Sequence, residues 1–319
     1  MRTRQVTVIE TICGTDVSKA WLDGWTVSGG HLRFANDPAG VANLGEWAVA
    51  HGTALVVMEA TGGVEQFAFL ALWRRGMPCA LTNPQRVRKF AEALGKLEKT
   101  DRIDAEVIAR HADALRVNPT RPKSDKQQHL DALSTRLQQV TSDLTVRKMR
   151  LHSTRDPVAL EESLCEVIAL LKKQTKDLAH RIAELVNDDP LWSALDQTFR
   201  QIKGVADRTV AVLLAELPEI GVLSNKAVTK LTGLAPIAND SGKRQGRRPI
   251  RGGRATVRNI LFLVADIARE YDKSLTEFRQ RLLDQGKPKM VVRIALARKL
   301  LVRLNAMARE TRQSLAANA

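Results

Sequence analysis

Two aspartates, Asp101 and Asp104, lie three residues apart where a helix is predicted to begin, in GKLEKTDRIDAEVIARHADA. Residues at this spacing share one helical face, with Cβ atoms roughly 5–6 Å apart. Carboxylates in this place either complement the positive end of the helix dipole or hold a metal ion. Taken alone, the pair leaves both interpretations open.

Two further acids lie at the ends of predicted strands. Asp16 follows an apolar strand in CGTDVSK, and Glu59 ends a buried strand in VVMEATGG. A lone acid at the end of an apolar strand is costly unless it is exposed, paired or metal-bound. Together with the helical pair, these carboxylates would be able to coordinate two Mg²⁺ ions about 3.5–4 Å apart, an arrangement that acts on phosphodiesters. Spacing by itself does not join the four residues in space.

The charge balance favours a polyanionic partner. The chain of 319 residues has 50 Lys and Arg against 35 Asp and Glu, a net charge of +15. Nucleic acid is the simplest such partner, although ribosomal and membrane-surface proteins share this balance. Aromatic residues make up only 4% of the chain, so extensive base stacking is not the expected binding mode.

Neither a membrane span nor a secretion signal is predicted. No run of about 18 apolar residues occurs, and the basic start MRTRQVTVIETICGTD reaches acidic residues too early for a signal peptide. Cys13, Cys79 and Cys165 fit no zinc spacing. We therefore expect a cytoplasmic protein in a reducing compartment.

Residues 1–120 are predicted to form an α/β domain. Strand patterns at hairpin spacing come first, and helix and strand then alternate from PAGVANLGEWAVAHG through TALVVMEATGG to PQRVRKFAEALG. This order indicates a mixed sheet covered by helices.

Residues 121–189 are predicted to form two long antiparallel helices. The apolar residues recur at heptad-like spacing in two series, namely Leu130, Leu133, Leu137, Val140, Leu144 and Leu151, then Leu160, Leu164, Val167, Leu171, Leu178 and Leu185. Pro157 interrupts the pattern between them. The pattern is typical of a coiled-coil arm, and two helices of an ordinary bundle are the alternative.

Residues 190–319 are predicted to be mostly helical. IKGVADRTVAVLLAEL places Gly204 in a short turn before a helix, which resembles a helix-hairpin-helix element. In such a turn, backbone N–H groups approach a phosphate, so we assign Gly204 to nucleic-acid binding. The basic segment KPKMVVRIALARKLLVRLNAMARE is either a core helix with a solvated face or a basic surface helix.

A basic, glycine-rich loop lies before this segment in the sequence. Between residues 241 and 258 seven basic residues occur without an acidic one, and they are Lys243, Arg244, Arg247, Arg248, Arg251, Arg254 and Arg258. We expect them to contact phosphates. Glycines in the loop are expected to keep its backbone open to close approach. A solvated surface loop is the alternative.

The blocks GTDVSK, MEATG and NPQRVRKFAEALGKLEKTDRIDA, in this order, resemble the DEDD transposases of the one-ten insertion-sequence family, relatives of pilin-gene-inverting recombinases. The resemblance covers essentially the whole chain. It implies an RNase H-like domain similar to the RuvC junction resolvases, and it assigns Asp16, Glu59, Asp101 and Asp104 as the metal ligands. Thr15 is a small departure, because an aliphatic residue is more usual there.

The family's second motif points to Ser241. The resemblance places the motif at Gly233–Pro236 and Ser241–Gly242, in LTGLAPIANDSG, and implies that the serine attacks DNA to form a covalent phosphoserine link. Residue chemistry alone would not select Ser241, because no histidine lies nearby in sequence to activate it. We further hypothesise that the acids of one subunit meet the serine of another.

Family resemblance also implies an element-encoded guide RNA that pairs with donor and target DNA, a homo-oligomer formed through the arm, and a location at the bacterial nucleoid. The leading interpretation is therefore an RNA-guided DNA recombinase that moves an insertion sequence. Alternatives are a RuvC-like junction nuclease, a protein-only site-specific recombinase and a binding scaffold with a degenerate site.

Overall fold

The structure is a computed structural model that describes residues 11–96, 98, 101–153, 157–242, 244–246 and 248–318, with only the backbone at 101, 102, 157–161, 244 and 245. The chain divides into two compact units, residues 1–123 and 124–319. The division lies close to the predicted limit at residue 120. The further division at residue 189 stays a prediction.

The first unit is built on a five-stranded mixed sheet in the order β3-β2-β1-β4-β5. Its strands are β1 (Ile12–Val17), β2 (Trp21–Thr26), β3 (Gly30–Ala35), β4 (Leu55–Glu59) and β5 (Cys79–Thr82). Strands β1, β2 and β3 form an antiparallel meander, while β4 and β5 run parallel to β1. The predicted hairpin strands and mixed sheet are thus confirmed, and this order is compatible with an RNase H-like domain.

Helices cover both faces of this sheet. They are α1 (Pro38–Ala50), α2 (Gln66–Arg74), α3 (Pro84–Ala93) and α4 (Asp101–Ala114). The apolar side chains of α1 and α2 pack with Cys13, Val56 and Met58 on one face. On the other face, α3 and α4 pack against Ile12 and Val57. Successive side chains of β1 and β4 point to opposite faces of the sheet, so each strand contributes to two separate cores.

Local sequence sets the ends of the helices over this sheet. Asp37 caps α1 by accepting a hydrogen bond from the Gly40 N–H, and Asn83 caps α3 through the Gln85 N–H. Each cap precedes a proline at the first helical position, where the missing N–H costs nothing. Gly52 follows α1 with φ of 75°, a conformation that glycine adopts without strain.

The described residues of the second unit are helical apart from one small hairpin and the loops that join the helices. Its helices are α5 (Asp125–Ser153), α6 (Pro157–Asn187), α7 (Pro190–Arg200), α8 (Asp207–Glu216), α9 (Asn225–Leu231), α10 (Ala255–Tyr271), α11 (Lys273–Asp284) and α12 (Lys289–Ala317). The hairpin pairs β6 (Asp240–Ser241) with β7 (Arg244–Gln245). Helix α12 buries eight of its residues in the unit's core, so the basic segment is a core helix.

Helices α5 and α6 pack against each other along their length. Only residues 154–156 separate them, so the two helices run in opposite directions, as predicted. The start of α5 and the end of α6 pack on the unit's core, through residues such as Leu133, Leu137 and Ile182. Nearer the connection, Met149 and Leu170 are exposed. The coiled-coil assignment stays a prediction.

The predicted heptad in α6 is partly wrong. Val167 is 37% exposed, whereas its neighbour Ile168 is buried, and Ile182 and Val186 are buried where Leu178 and Leu185 are only half-buried. The buried face of α6 is therefore rotated relative to the leucine series, because this helix packs against α7 and α8 as well as α5.

The turn between α7 and α8 contains Gly204 with φ of 98°. A Cβ there would lie 3.0 Å from Ile267 Cγ2, so the turn is packed closely on α10. Val205, Val210 and Leu213, which follow this glycine, are buried. The structure thus gives Gly204 a folding role, and its assignment as a phosphate contact stays a prediction.

Candidate active site

Asp16 and Glu59 lie side by side on two neighbouring parallel strands. The register of β1 and β4 pairs Thr15 with Met58, and these acids are the next residue of each strand. Neighbouring strands lie about 4.8 Å apart, and partners in register point to the same face. Both side chains are half-buried. The sheet therefore brings the two predicted strand-end carboxylates together.

Helix α4 brings Asp104 to this face through a very close approach to β1. A Cβ on Gly14 would lie 2.2 Å from the Ala105 carbonyl oxygen and 2.6 Å from the Ala109 nitrogen. Only glycine permits this contact of helix backbone with strand backbone. Gly14 is two residues before Asp16 and Ala105 directly follows Asp104, so the contact fixes the two aspartates relative to each other.

Asp16, Glu59 and Asp104 all line one cleft of about 700 Å³. The structure thus joins three of the four predicted ligands. Asp101 begins α4 as predicted, but its side chain lies outside the described residues, so its place in the cleft stays a prediction.

Cations that the sequence reasoning overlooked also line this cleft. Arg88 and Lys89 come from α3, together with Gln85. Arg88 also pairs with Glu92, with 3.6 Å between its Nε and the carboxylate. A basic pair beside clustered acids is a place where a phosphate can bind. The repeated basic residues of PQRVRKFAEALG were the available signal.

The donor set of the cleft fits a hard divalent cation. Asp16, Glu59 and Asp104 offer only carboxylate oxygens, which Mg²⁺ prefers over nitrogen and sulfur. Among the residues whose side chains are described, no group of three or more His, Cys, Asp or Glu is already arranged to hold a metal ion. The match to Mg²⁺ therefore rests on the chemistry of the donor atoms and not on their coordination geometry.

A fifth acid, Asp23, lies directly across from Asp16 on β2. It is 3% exposed and is held by the next strand. The guanidinium of Arg33 donates to both carboxylate oxygens of Asp23, at 2.9 and 3.0 Å, and His31 Nε2 lies 2.8 Å from Oδ1. Two basic partners thus hold this carboxylate, and Asp23 is not among the residues that line the cleft.

Glu106 is likewise occupied although it is two residues from Asp104. Lys96 Nζ lies 2.8 Å from one carboxylate oxygen and Arg110 Nε lies 2.7 Å from the other. Partial burial raises the pKa of Glu106, but these two partners outweigh it and leave the pKa below its ordinary value. Glu106 therefore stays ionised and paired.

The cysteines of the first unit are chemically quiet. Burial raises the pKa of Cys13 to about 11 and that of Cys79 to about 12. Because the thiolate is the reactive form, burial disfavours reaction at either residue near neutral pH. Both are free thiols, as is the exposed Cys165.

Ser241 lies at the tip of the β6–β7 hairpin in the second unit. It pairs with Arg244 across a two-residue turn that contains Gly242 with φ of 54°. The serine is exposed, and within the described part of the chain no side chain is hydrogen-bonded to its hydroxyl. Its access suits a nucleophile, but the described side chains of the hairpin do not supply the activation that a serine requires.

Asp240, beside the serine, is held by the opposite arm of the hairpin. Arg248 donates to its carboxylate at 2.7 Å. The ion pair stabilises the hairpin below Ser241 and occupies the acid, so Asp240 is poorly suited to act as a general base.

The predicted phosphate-binding residues differ in their surroundings. Arg254 is tied to Glu219 by two bonds of 2.5 and 2.7 Å and to the Glu216 carbonyl. Arg258 donates to the Gly252 carbonyl at 2.6 Å. Arg248 and Arg251 are exposed, while the side chains of Lys243, Arg244 and Arg247 lie outside the described residues. Nucleic-acid contact stays a prediction for the whole set.

The expected openness of the glycine-rich loop is only partly correct. A Cβ on Gly233 would lie 2.1 Å from the Gly252 carbonyl oxygen, and one on Gly253 would lie 2.2 Å from the Gly233 nitrogen. These glycines lock two turns together by backbone contact. In contrast, a Cβ on Gly242 would meet nothing within 4 Å, so that position at the serine is open.

Comparison with known proteins gives a consistent result over both units. Residues 13–158 match a DEDD transposase family, and residues 196–280 match the transposase IS116/IS110/IS902 family. The pilin gene-inverting proteins of Moraxella lacunata and Moraxella bovis are each 27% identical to the chain over 330 aligned positions, covering 95% of the chain and 97% of the relative.

The two matched segments contain the acids and the serine, respectively. No helix of the described residues is long and apolar enough to cross a membrane. The matches and the three converging acids agree with an enzyme that acts on DNA. The chain belongs to the IS110 family of DEDD transposases and recombinases.

Proposed function

We propose that the chain is an Mg²⁺-dependent recombinase that moves an insertion sequence through a covalent protein–DNA intermediate, with Ser241 as the nucleophile. The observation that supports it most is the convergence of Asp16, Glu59 and Asp104 on one cleft. In the proposal these acids, with Asp101, hold Mg²⁺ in an RNase H-like domain. Bound Mg²⁺ supplies Lewis-acid stabilisation of charge on the phosphate and on the serine oxygen.

The proposed covalent step is a transesterification. The Ser241 Oγ forms a bond to phosphorus, one P–O bond of the DNA backbone breaks, and the serine proton is transferred to the departing DNA oxygen in the net reaction. One phosphodiester is exchanged for another, so a second strand end can reverse the step and no nucleoside triphosphate is consumed. The exposed hairpin gives a DNA strand access to the hydroxyl.

Cations of the cleft have a binding role in this proposal. Arg88 and Lys89 line the same cleft as the acids, so they would hold the phosphate against the repulsion of three carboxylates. Arg251 and Arg248 are exposed near the serine hairpin and would hold the backbone there. Arg254 would act by keeping its loop in place through Glu219.

A trapping experiment tests the serine. The protein is incubated with Mg²⁺ and DNA that spans the element's own end, then denatured, and a covalent adduct is sought by gel shift and peptide mass spectrometry. We expect an adduct on the peptide that contains Ser241 and none in Ser241→Ala. An adduct that survives this substitution would show that another residue attacks.

Complementation tests whether subunits share the reaction. Two inactive chains, Ser241→Ala and Asp104→Ala, are mixed before the recombination assay. We expect partial recovery, because one subunit would supply the acids and the other the serine. Each variant mixed with itself is the control, and no recovery in the mixture would contradict sharing. Oligomerisation through α5 and α6 is supported by exposed apolar residues such as Met149 and Leu170.

A guide RNA is the finer part of the proposal. The net charge of +15 supports a polyanionic partner in addition to DNA, and the family resemblance supports a noncoding RNA from the element. The protein is purified at stringent salt from cells that carry the element, and its RNA is sequenced. One discrete RNA from the element's flank is expected, whereas random cellular RNA would favour a protein-only recombinase.

A junction nuclease is the second candidate. It is favoured by the environment of Ser241, whose hydroxyl has no activating side chain among the described residues, while the acid cleft by itself suits metal-assisted hydrolysis. In that case water attacks the phosphate and Ser241→Ala cleaves branched DNA at the wild-type rate. Loss of cleavage in this variant would exclude the nuclease.

A further inference from the structure

A second groove lies in the helical unit, at the base of the serine hairpin. Its volume is about 420 Å³, which is within the range of small-ligand sites. One wall is formed by Pro236 and Pro249 of the hairpin arms, and the other by Val291 and Ile294 of α12, with Phe278 of α11 between them. We call it the Phe278 groove.

The groove is linked to Ser241 through the hairpin itself. Pro236 bridges Ile250 across the two arms, and the Ile237 N–H donates to the Pro249 carbonyl at 3.0 Å. Arg248 lines the groove and also pairs with Asp240, next to the serine. Five residues of extended chain reach about 17 Å, so a strand bound at Ser241 passes within a few nucleotides of the groove.

The charges around the groove select an anionic ligand. Three cations line it, Arg248, Arg298 and Lys299, of which Arg248 is paired with Asp240, and the described lining itself includes no acid. Lys299 lies with its Nζ 4.7 Å from the Phe278 ring centre and donates to the Ser274 carbonyl. A second copy of this chain, with its net charge of +15, would meet like charge at this rim.

We propose that the Phe278 groove holds one unpaired nucleobase of the DNA strand that Ser241 attacks, with the adjoining phosphate on Arg298. A base presents an apolar face joined to an anion, which matches apolar walls with a cationic rim. The proposal rests on the proposed function of Ser241. It adds a site where strand position is fixed by binding a base that has left its pair.

Two neighbouring residues of α12 provide a matched test. Val291 lines the groove and Met290 does not, yet both are exposed, at 48% and 56%. Val291→Glu would place a carboxylate against the bound nucleotide, whereas Met290→Glu adds the same charge outside the groove. Because both positions are exposed, neither change is expected to unfold the protein.

The probe is a single DNA strand of the element's end, bound in a fluorescence anisotropy assay at fixed salt. One nucleotide at a time is replaced by an abasic site. At one position we expect the abasic change to weaken wild-type binding about tenfold, as expected for the loss of one bound base. At that position the abasic substitution should not weaken DNA binding by Val291→Glu any further. It should weaken binding by Met290→Glu as much as it weakens binding by the wild type.

The rim is tested in the same assay by Arg298→Gln, with Lys289→Gln as the control for charge on the same helix. Only the former should weaken binding of both intact and abasic strands. Equal abasic effects in all variants would overturn the proposal. So would a change of oligomeric state in Val291→Glu without any loss of DNA binding, which would identify the groove as a contact between copies.

The binding assay separates this proposal from that for Ser241, because it is repeated in Ser241→Ala. If Val291→Glu also removes the effect of one abasic position on binding in the Ser241→Ala background, the groove binds a base independently of the covalent step. This loss of effect is called the coupling. If the coupling is present but wild-type protein gives no covalent adduct, the nucleophile is wrong and the base site stands. An adduct without coupling overturns the groove alone.

Discussion

The carboxylate cleft and the serine hairpin differ in how they are held. In the cleft, Asp16 and Glu59 are fixed by strand register, and Asp104 by backbone packing of α4 on Gly14. Ser241 instead lies in an exposed hairpin whose strands are only two residues long. The next residue is Gly242, where a Cβ would meet nothing within 4 Å. The difference matches the proposed roles, because metal ligands need fixed geometry before substrate arrives, whereas a nucleophile that attacks DNA needs access.

The difference also separates the effects expected of substitutions. Changes in the cleft act either on charge or on close packing, and both effects are large. Changes on the hairpin act on exposed groups and affect stability little, even where they abolish chemistry. Four predictions, in order of decreasing effect, test this contrast.

If Asp16 has its proposed role as a metal ligand, Asp16→Asn should lower the rate of DNA strand cleavage at least about 10³-fold, because loss of one such carboxylate removes several kcal/mol of stabilisation of the reacting phosphate. Its thermal unfolding midpoint should stay close to that of the wild type, since the half-buried acid lies beside other acids. Cleavage is measured at saturating Mg²⁺. Asp23→Asn is the informative control, because Asp23 is bonded to Arg33 and His31 and should affect folding more than chemistry.

Gly14→Ala should destabilise the first unit by about 3 kcal/mol, as an overpacked backbone contact, and should lower cleavage because α4 moves away from β1. Four of the five tryptophans, Trp21, Trp25, Trp47 and Trp73, lie in this unit, so fluorescence in a urea titration reports its unfolding. Gly242→Ala is the counterpart on the hairpin and should cost about 1 kcal/mol for its positive φ alone. If both variants lose the same free energy of unfolding, the backbone of the cleft is not packed more closely than that of the hairpin.

Arg254→Gln should lower the free energy of unfolding of the second unit by about 1–2 kcal/mol, because charged hydrogen bonds to Glu219 are lost at a half-buried position. Arg251→Gln, at an exposed position of the same loop, should be within about 0.5 kcal/mol of the wild type. Trp192 lies in this unit and is the probe for both titrations. If the two variants lose equal stability, Arg254 does not have the proposed structural role.

His111 should give the first unit a modest sensitivity to acid. Burial, with a smaller contribution from Arg86, lowers its pKa below the ordinary 6.5. Below pH 6.5 the unfolded chain binds a proton that the folded chain does not, so stability is present above this pH and is lost as pH falls towards the folded pKa. In His111→Leu the unfolding midpoint should fall less between pH 6.5 and 5 than it does in the wild type. If the unfolding midpoints of the two proteins change with pH in parallel, His111 is not the cause of the sensitivity to acid.

Much of the first unit could be predicted from the sequence because its signals are local. Apolar runs gave the strands, and prolines and glycines marked the helix ends near Pro84 and Gly52. What joins Asp16 to Glu59 is a register between distant strands, and no local pattern determines it. The resemblance supplied that grouping, and the structure supports it for three of the four acids.

Other features were missed because they depend on side-chain partners. The heptad in α6 was misplaced because the helix packs against more than one neighbour, so leucine spacing alone did not identify Ile168 as buried. The ion pair of Arg254 with Glu219 depends on a residue in a separate segment, so local sequence does not reveal it, and phosphate contact by Arg254 stays a prediction. Arg88 and Lys89 lie among other basic residues, and only the fold shows that they line the cleft.

The register between β1 and β4 also determines where the chain tolerates extra length. The turn between β2 and β3 is open at Gly30, where a Cβ would meet nothing within 4 Å, but not at Gly29, where a Cβ would lie 2.7 Å from His51 Cδ2. A tag or a sensor domain inserted beside Gly30 therefore leaves both acids in place. One residue added within β4 would instead turn Glu59 to the face that Val56 and Met58 occupy. For protein engineering, a long insertion in that turn is therefore safer than a single residue in the strand.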